Sequence, residues 1–138
     1  MVRARDRYVR FVVGHDDPDS GVRAGLFTIA YDLKRSGTTP AYQAARLTAL
    51  LDWFNEHLER PLRFSRSTTK GAAWRNTKGI SWFKASARDH IANMHEMAEV
   101  IEDLGHYTDV ITCERPGYIV YEDEFQIVAE LFADAAVR

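Results

Sequence analysis

The sequence predicts an α+β domain: a mainly antiparallel sheet with about three helices packed on one face and a C-terminal β-meander. Three observations lead there. Residues 8–13, 80–84 and most of 108–131 are rich in β-branched and aromatic residues, the composition of strands. Three other stretches space their apolar residues three and four apart, the period of an amphipathic helix. Strands and helices are partly segregated along the chain instead of alternating strictly, which favours α+β over a parallel α/β sheet. With 138 residues, 46% of them hydrophobic and 28% charged, residues 1–138 are expected to form one domain that buries its own core.

The first strand is read at Tyr8–Val13, ending in the turn-rich run Gly14-His-Asp-Asp-Pro-Asp-Ser-Gly21. Residues 21–36 carry both periods. Val22, Leu26, Ile29 and Leu33 suit a helix, while Phe27, Ile29, Tyr31 and Leu33 alternate like a strand. Ser20 as N-cap and Gly37 after the last turn favour the helix. A second helix is expected at about 40–59. Thr39 can cap it, Pro40 suits its first position, and Leu47, Leu50, Leu51, Phe54 and Leu58 form one stripe before Pro61 ends it. Residues 61–79 read as a long basic loop, with room for a short strand near Leu62–Phe64. Ile80–Lys84 is the next strand. Ser86 then caps a helix to about residue 104, buried along Ile91, Met94, Ala98 and Ile101, with Gly105 just beyond it. Strands at 108–114, 118–121 and 125–131 complete the chain. Arg115-Pro116-Gly117-Tyr118 fits a type II turn, and Glu122-Asp123-Glu124 makes the second turn.

The formal charge of −2 hides two opposed blocks. Residues 1–59 balance to zero. Residues 60–88 hold eight Lys and Arg and no acid, and residues 89–134 carry a net −11, with Arg115 their only cation. The basic block interleaves Arg63, Arg66, Lys70, Arg75 and Lys78 with Ser65, Ser67, Trp74 and other aromatics. Cations neutralise phosphates, hydroxyls add hydrogen bonds, and an aromatic ring stacks on an unpaired base. This composition suits a nucleic acid or a phosphorylated ligand. The competing reading is that the basic block neutralises the acidic block of its own chain or of a second subunit in a homodimer.

Other chemistry is sparse. There is no Gly-x-x-x-x-Gly-Lys-Ser/Thr and no Gly-x-Gly-x-x-Gly sequence, so no nucleotide cofactor is implied. His15-Asp16-Asp17-Pro18-Asp19 matches no calcium loop. His90 and His95 are five apart on one predicted helix and point in different directions, so they cannot share a tetrahedral ion. No metal is expected. Cys113, the one cysteine, excludes an internal disulfide and reads as a small hydrophobe in a strand. No apolar run reaches the roughly 18 residues of a membrane helix. The basic start precedes only Phe11-Val12-Val13 as an apolar stretch, too short for a signal peptide. A cytoplasmic protein is the expectation. Glu122 and Glu124 are the candidate acid–base pair, because crowded carboxylates raise one another's pKa; a solvated turn is the alternative.

Arg10 on the first strand, Phe64-Ser65-Arg66-Ser67-Thr68 in mid-chain and Glu122-Asp123-Glu124 near the end resemble the Arg, aromatic-Ser-Thr-Ser and Glu-x-Glu elements of ADP-ribosyltransferases. Arg66 stands inside the second element, and no Gly follows Arg10. The resemblance implies that Arg10 and Ser65 or Ser67 would position NAD, and that Glu124 would support an oxocarbenium-like transition state. Two functions thus emerge from the sequence: a module presenting its basic and aromatic loop to single-stranded nucleic acid or another phosphate-rich partner, and a small enzyme acting on a nucleotide or phosphorylated substrate. A self-complementary homo-oligomer is a third.

Overall fold

Strand β1 (Tyr8–Asp16) is the spine of the sheet. Its alternation divides it cleanly: Val9, Phe11 and Val13 face a core built with the helices, and Tyr8 and Val12 face the other side. The computed structural model describes residues 7–16, 23–59 and 79–130. After β1 come β2 (Arg23–Gly25), α1 (Leu26–Arg35), α2 (Ala41–His57), β3 (Gly79–Lys84), α3 (Arg88–Asp103), β4 (Thr108–Cys113), β5 (Tyr118–Glu122) and β6 (Gln126–Glu130). The described strands form one antiparallel sheet, and three helices cover one of its faces. The α+β class read from the sequence is the class observed.

The ambiguous stretch at 21–36 uses both of its periods. Arg23–Gly25 pairs with β1 as a short strand, Val12 opposite Gly25. The helix begins only at Leu26 and buries Leu26, Ile29 and Ala30. Its N-cap is therefore Gly25, while Ser20 lies outside the described residues. In α2 the predicted stripe is the observed one, with Leu47, Leu51 and Phe54 buried. Helix α3 buries Met94, Met97, Val100 and Ile101 against them, and Ala87 occupies the N-cap position instead of Ser86. Gly105 ends α3 as expected, with φ of +100° and its N–H donated to the Glu102 carbonyl. A Cβ there would meet nothing within 4 Å, so only the backbone resists a side chain. Gly105→Ala is expected to cost about 1 kcal/mol by thermal or urea unfolding.

The three C-terminal strands are present, but their pairing is not sequential. β5 and β6 form a hairpin. β4 pairs with β1 instead, from Thr108 opposite Val13 to Cys113 opposite Tyr8. The order β4-β1-β3-β6-β5 puts β4 and β5 at opposite borders. Yet only residues 114–117 join them. Five Cα steps reach at most about 18 Å, whereas four strand spacings in a flat sheet span about 19 Å before any offset along the strands. The sheet must therefore curl so that its borders approach each other. Gly117, with φ of 154°, serves this crossing; a type II turn would need about +80°. On the face away from the helices, Tyr8, Val12, Ile127 and Ala129 are all buried, with Trp82 packed beside them, as a sheet curled towards that face requires.

Candidate functional site: a cleft where the sheet divides

One border of β1 is taken by β4 from Tyr8 to Val13. The other is shared end to end by two strands. β3 meets β1 only at Tyr8 and Val9, opposite Lys84 and Phe83. β2 meets it only from Val12 onward. Between these contacts, β1 faces neither strand at Arg10 and Phe11, and the sheet opens into a cleft of about 500 Å³. Gly25, Leu26, Phe27 and Thr28 form one wall, and Gly79–Phe83 of β3 form the other. The floor is core: Leu51, Phe54 and Met94. Phe27, Tyr31 and Trp82 add aromatic surface.

The first wall is the N-terminus of α1. Gly25 offers no side-chain cap, and the first turn contains no acid. The leading N–H groups of a helix have no intrahelical acceptors, and the helix dipole makes this end attractive to anions. Arg10 reaches the same place. Its Nη2 lies 3.7 Å from where a Gly25 Cβ would stand. A cation and a helix N-terminus thus converge at the mouth of an aromatic cleft, an arrangement suited to a phosphate carrying a planar ring.

The residues that flank the basic segment line this cleft. The described chain stops at Glu59 and resumes at Gly79, and both line it. The predicted binding residues Arg63, Ser65, Arg66, Ser67, Lys70, Trp74, Arg75 and Lys78 lie outside the described residues. The point of departure is firmly held. Gln126 Nε2 donates to the Glu59 carbonyl at 2.7 Å, and His90 Nε2–H donates to the His57 carbonyl at 2.8 Å. His90 and Gln126 are the two buried polar side chains among the described residues, and both satisfy carbonyls at or just beyond the C-terminal turn of α2. His90 also stacks on Phe125, with centroids 4.3 Å apart. Sequence reasoning weighed His90 only as a metal ligand and did not single out Gln126. The signal was a polar residue at each of two positions that periodicity marks as core.

The acidic turn divides its labour. Asp123 is its organiser: Oδ1 accepts from the Phe125 and Gln126 N–H groups, and Oδ2 accepts from the Tyr121 hydroxyl at 2.7 Å and from Gln126 Nε2. Burial pushes the Asp123 carboxyl up, but these donors together outweigh it and hold the group below the ordinary carboxylate value. The hydrogen bond to Asp123, ahead of burial, pushes the Tyr121 phenol up to about 12. Glu122 is ion-paired with Lys84 at 2.6 Å, one contact between the basic and the acidic block. Glu124 lines a second, larger and more open hollow of about 1160 Å³ with Trp53, His57, His90 and Phe125.

Arg10 and Glu124 therefore line different hollows, which meet along a rim of Asn55, Leu58 and Glu59. Among the described residues the two side chains do not line one and the same hollow. His95 packs edge-on to Phe11, away from His90. Among the described residues, no three His, Cys, Asp or Glu side chains are placed to hold a metal ion, and no helix is long and apolar enough to cross a membrane. No protein-family model matches the chain, and comparison with the curated proteins and with the solved structures finds no match.

Proposed function

We propose that the protein is a binding module for a nucleotide unit, taken either free or as part of a single strand, with its base in the divided-sheet cleft and its phosphate at the N-terminus of α1. The observation that carries this reading is the convergence of Arg10 and the uncapped α1 N-terminus on an aromatic cleft of about 500 Å³, a volume within the range of small-ligand sites. The six cations of residues 60–78 would supply contacts to further phosphates. The apolar floor would take the ring, and Arg10 the negative charge.

Tryptophan fluorescence tests this, because Trp82 lines the cleft. ATP, AMP and a short single-stranded oligonucleotide are titrated separately at low and moderate salt. Quenching that Arg10→Ala weakens about tenfold is the expected result. If a strand is the ligand, its affinity falls steeply with salt, and Arg66→Ala combined with Arg75→Ala weakens it while leaving AMP unaffected. If a free nucleotide is the ligand, the oligonucleotide adds nothing over AMP. No response to any of the three, or a response indifferent to Arg10→Ala, refutes the proposal.

A further inference from the structure

One polar atom in the wall of the cleft has no hydrogen-bond partner among the described residues. Gln126 lines the cleft and is only 3% exposed. Its backbone is committed to the acidic turn: the N–H donates to Asp123 Oδ1 at 3.1 Å, and the carbonyl accepts from the Asp123 N–H at 3.0 Å. The side-chain Nε2 donates to the Glu59 carbonyl at 2.7 Å and to Asp123 Oδ2 at 3.1 Å, which uses both amide hydrogens. Oε1 is left over. No side-chain nitrogen or oxygen among the described residues is sealed from solvent without a partner, so Oε1 opens to a hollow. Asp123 lines the second hollow and not the cleft, whereas Gln126 lines the cleft and not the second hollow. The amide therefore turns its nitrogen to the acidic turn and its oxygen to the cleft. Turning it over would set Oε1 against a carbonyl and a carboxylate. The two acceptors thus fix this group as an acceptor and nothing else.

The register places this acceptor relative to the anion end. Val9, Phe83 and Gln126 stand in one row across β1, β3 and β6. Residues opposite each other share a face of the sheet, and Val9 and Phe83 face the helices, so the Gln126 side chain does too. Gly25, the N-cap of α1, pairs with Val12, three residues further along β1. Three residues along the strand and one strand spacing across separate Gly25 from Gln126, about 11 Å. A nucleoside monophosphate holds its phosphate and the outer edge of its base on opposite sides of one ribose, a separation of that order. We propose that Gln126 is a specificity residue of the cleft, its Oε1 accepting a hydrogen bond from an exocyclic amino group on the base, as in adenine. This rests on the nucleotide reading above and adds which base edge is read. A base entering the cleft strips water from Oε1, and a buried acceptor left unpaired is costly. The cleft therefore rejects a base without a donor there. An amino group projects clear of its ring. An oxo group in the same place would set one acceptor against another.

Trp82 fluorescence of the full chain tests the proposal with three ligands: AMP, purine riboside 5′-monophosphate, which lacks only the amino group, and IMP, which carries an oxygen in its place. AMP is expected to bind at least about tenfold tighter than either of the others. Gln126→Met keeps the length of the side chain and removes the acceptor. It also frees the Glu59 carbonyl, which acts on all three ligands alike, so the ratio of affinities is the quantity to read. In Gln126→Met the preference for AMP over purine riboside 5′-monophosphate should shrink to within about twofold of none. A purely structural role would weaken both ligands and keep the ratio. Equal wild-type affinities for AMP and purine riboside 5′-monophosphate overturn the proposal, and that comparison needs no variant, so it decides even if Gln126→Met fails to fold. A preference that persists in Gln126→Met also overturns it, because another group then reads the amine. Equal affinities that still fall in Arg10→Ala leave the nucleotide reading standing, whereas no response to any nucleotide removes both.

Discussion

Gly25→Asp is expected to raise the thermal midpoint and to abolish nucleotide binding in the same protein. The two effects have one cause. Gly25 is the N-cap of α1, with φ of −80° and ψ of 163°, an extended conformation that aspartate adopts without strain. A Cβ there would lie 3.7 Å from Arg10 Nη2 and 3.8 Å from the Phe11 carbonyl oxygen, ordinary contact distances. The new carboxylate would accept from the first-turn N–H groups, meet the positive end of the helix dipole and stand beside Arg10. Together with the lower entropy of a non-glycine unfolded chain, the gain is about 1 kcal/mol, or about 4 °C. The same carboxylate would occupy the place assigned to the phosphate and add a repelling charge. Loss of two charge-assisted hydrogen bonds corresponds to at least about a hundredfold weaker affinity. Differential scanning calorimetry and a fluorescence titration read the two signs. Wild-type affinity in Gly25→Asp would move the anion away from α1 altogether. A lower midpoint would show that Gly25 is needed for the β2–β1 junction and not merely tolerated there.

The class of this fold was legible because each helix carries its own stripe and stop signal. Leu47, Leu51 and Phe54 repeat at helical spacing, and Gly105 has the positive φ that ends α3. The pairing of the strands was less so. A meander is the shortest assumption for three successive strands. Nothing local in Thr108–Cys113 distinguishes β5 from β1 as its partner, because strand pairing is decided by distant residues and by the curl of the whole sheet. The boundary of α1 shifted for a similar reason. Arg23–Gly25 is too short to announce itself as a strand, and only β1 makes it one. The cleft was least visible of all. It exists because β2 and β3 each cover part of one border of β1, and a sequence does not show which two residues between them are left uncovered. What the sequence did mark was Arg10 within an apolar strand and the departure of a cation-rich segment after α2. The structure brings the ends of that segment to the cleft that Arg10 lines.

Replacing Asp123 by Ala is expected to destabilise the protein by about 2–4 kcal/mol, to remove the acid limb that Asp123 sets and to weaken the alkaline limb set by Tyr121. Removal of the carboxylate withdraws the acceptor from four donors at once: the Tyr121 hydroxyl, the Phe125 and Gln126 N–H groups, and Gln126 Nε2. The buried Gln126 side chain would keep only its bond to the Glu59 carbonyl. Partly orphaned donors cost about 1–3 kcal/mol each when buried and less where water reaches them, which gives the range. The acid limb follows from the sign of the shift. The Asp123 carboxyl is held below the ordinary value near 3.8 in the folded state. Its contribution is therefore fully present above that value and is lost as pH falls through the folded pKa. The alkaline limb has the opposite sense. The Tyr121 phenol titrates at about 12 instead of 10, so its contribution is complete below pH 10 and is lost as pH rises from 10 to 12. Asp123 is the first cause of that shift, so the Ala variant returns the phenol towards 10, and absorbance of phenolate reads the change directly. Tyr121→Phe should remove the alkaline limb and only weaken the acid one, because three other donors still hold the Asp123 carboxylate. Urea unfolding across the pH range distinguishes these outcomes. A wild-type pH profile in Asp123→Ala would mean that the turn is held by its backbone and that the anchoring of Glu59, from which the basic segment departs, does not depend on Asp123.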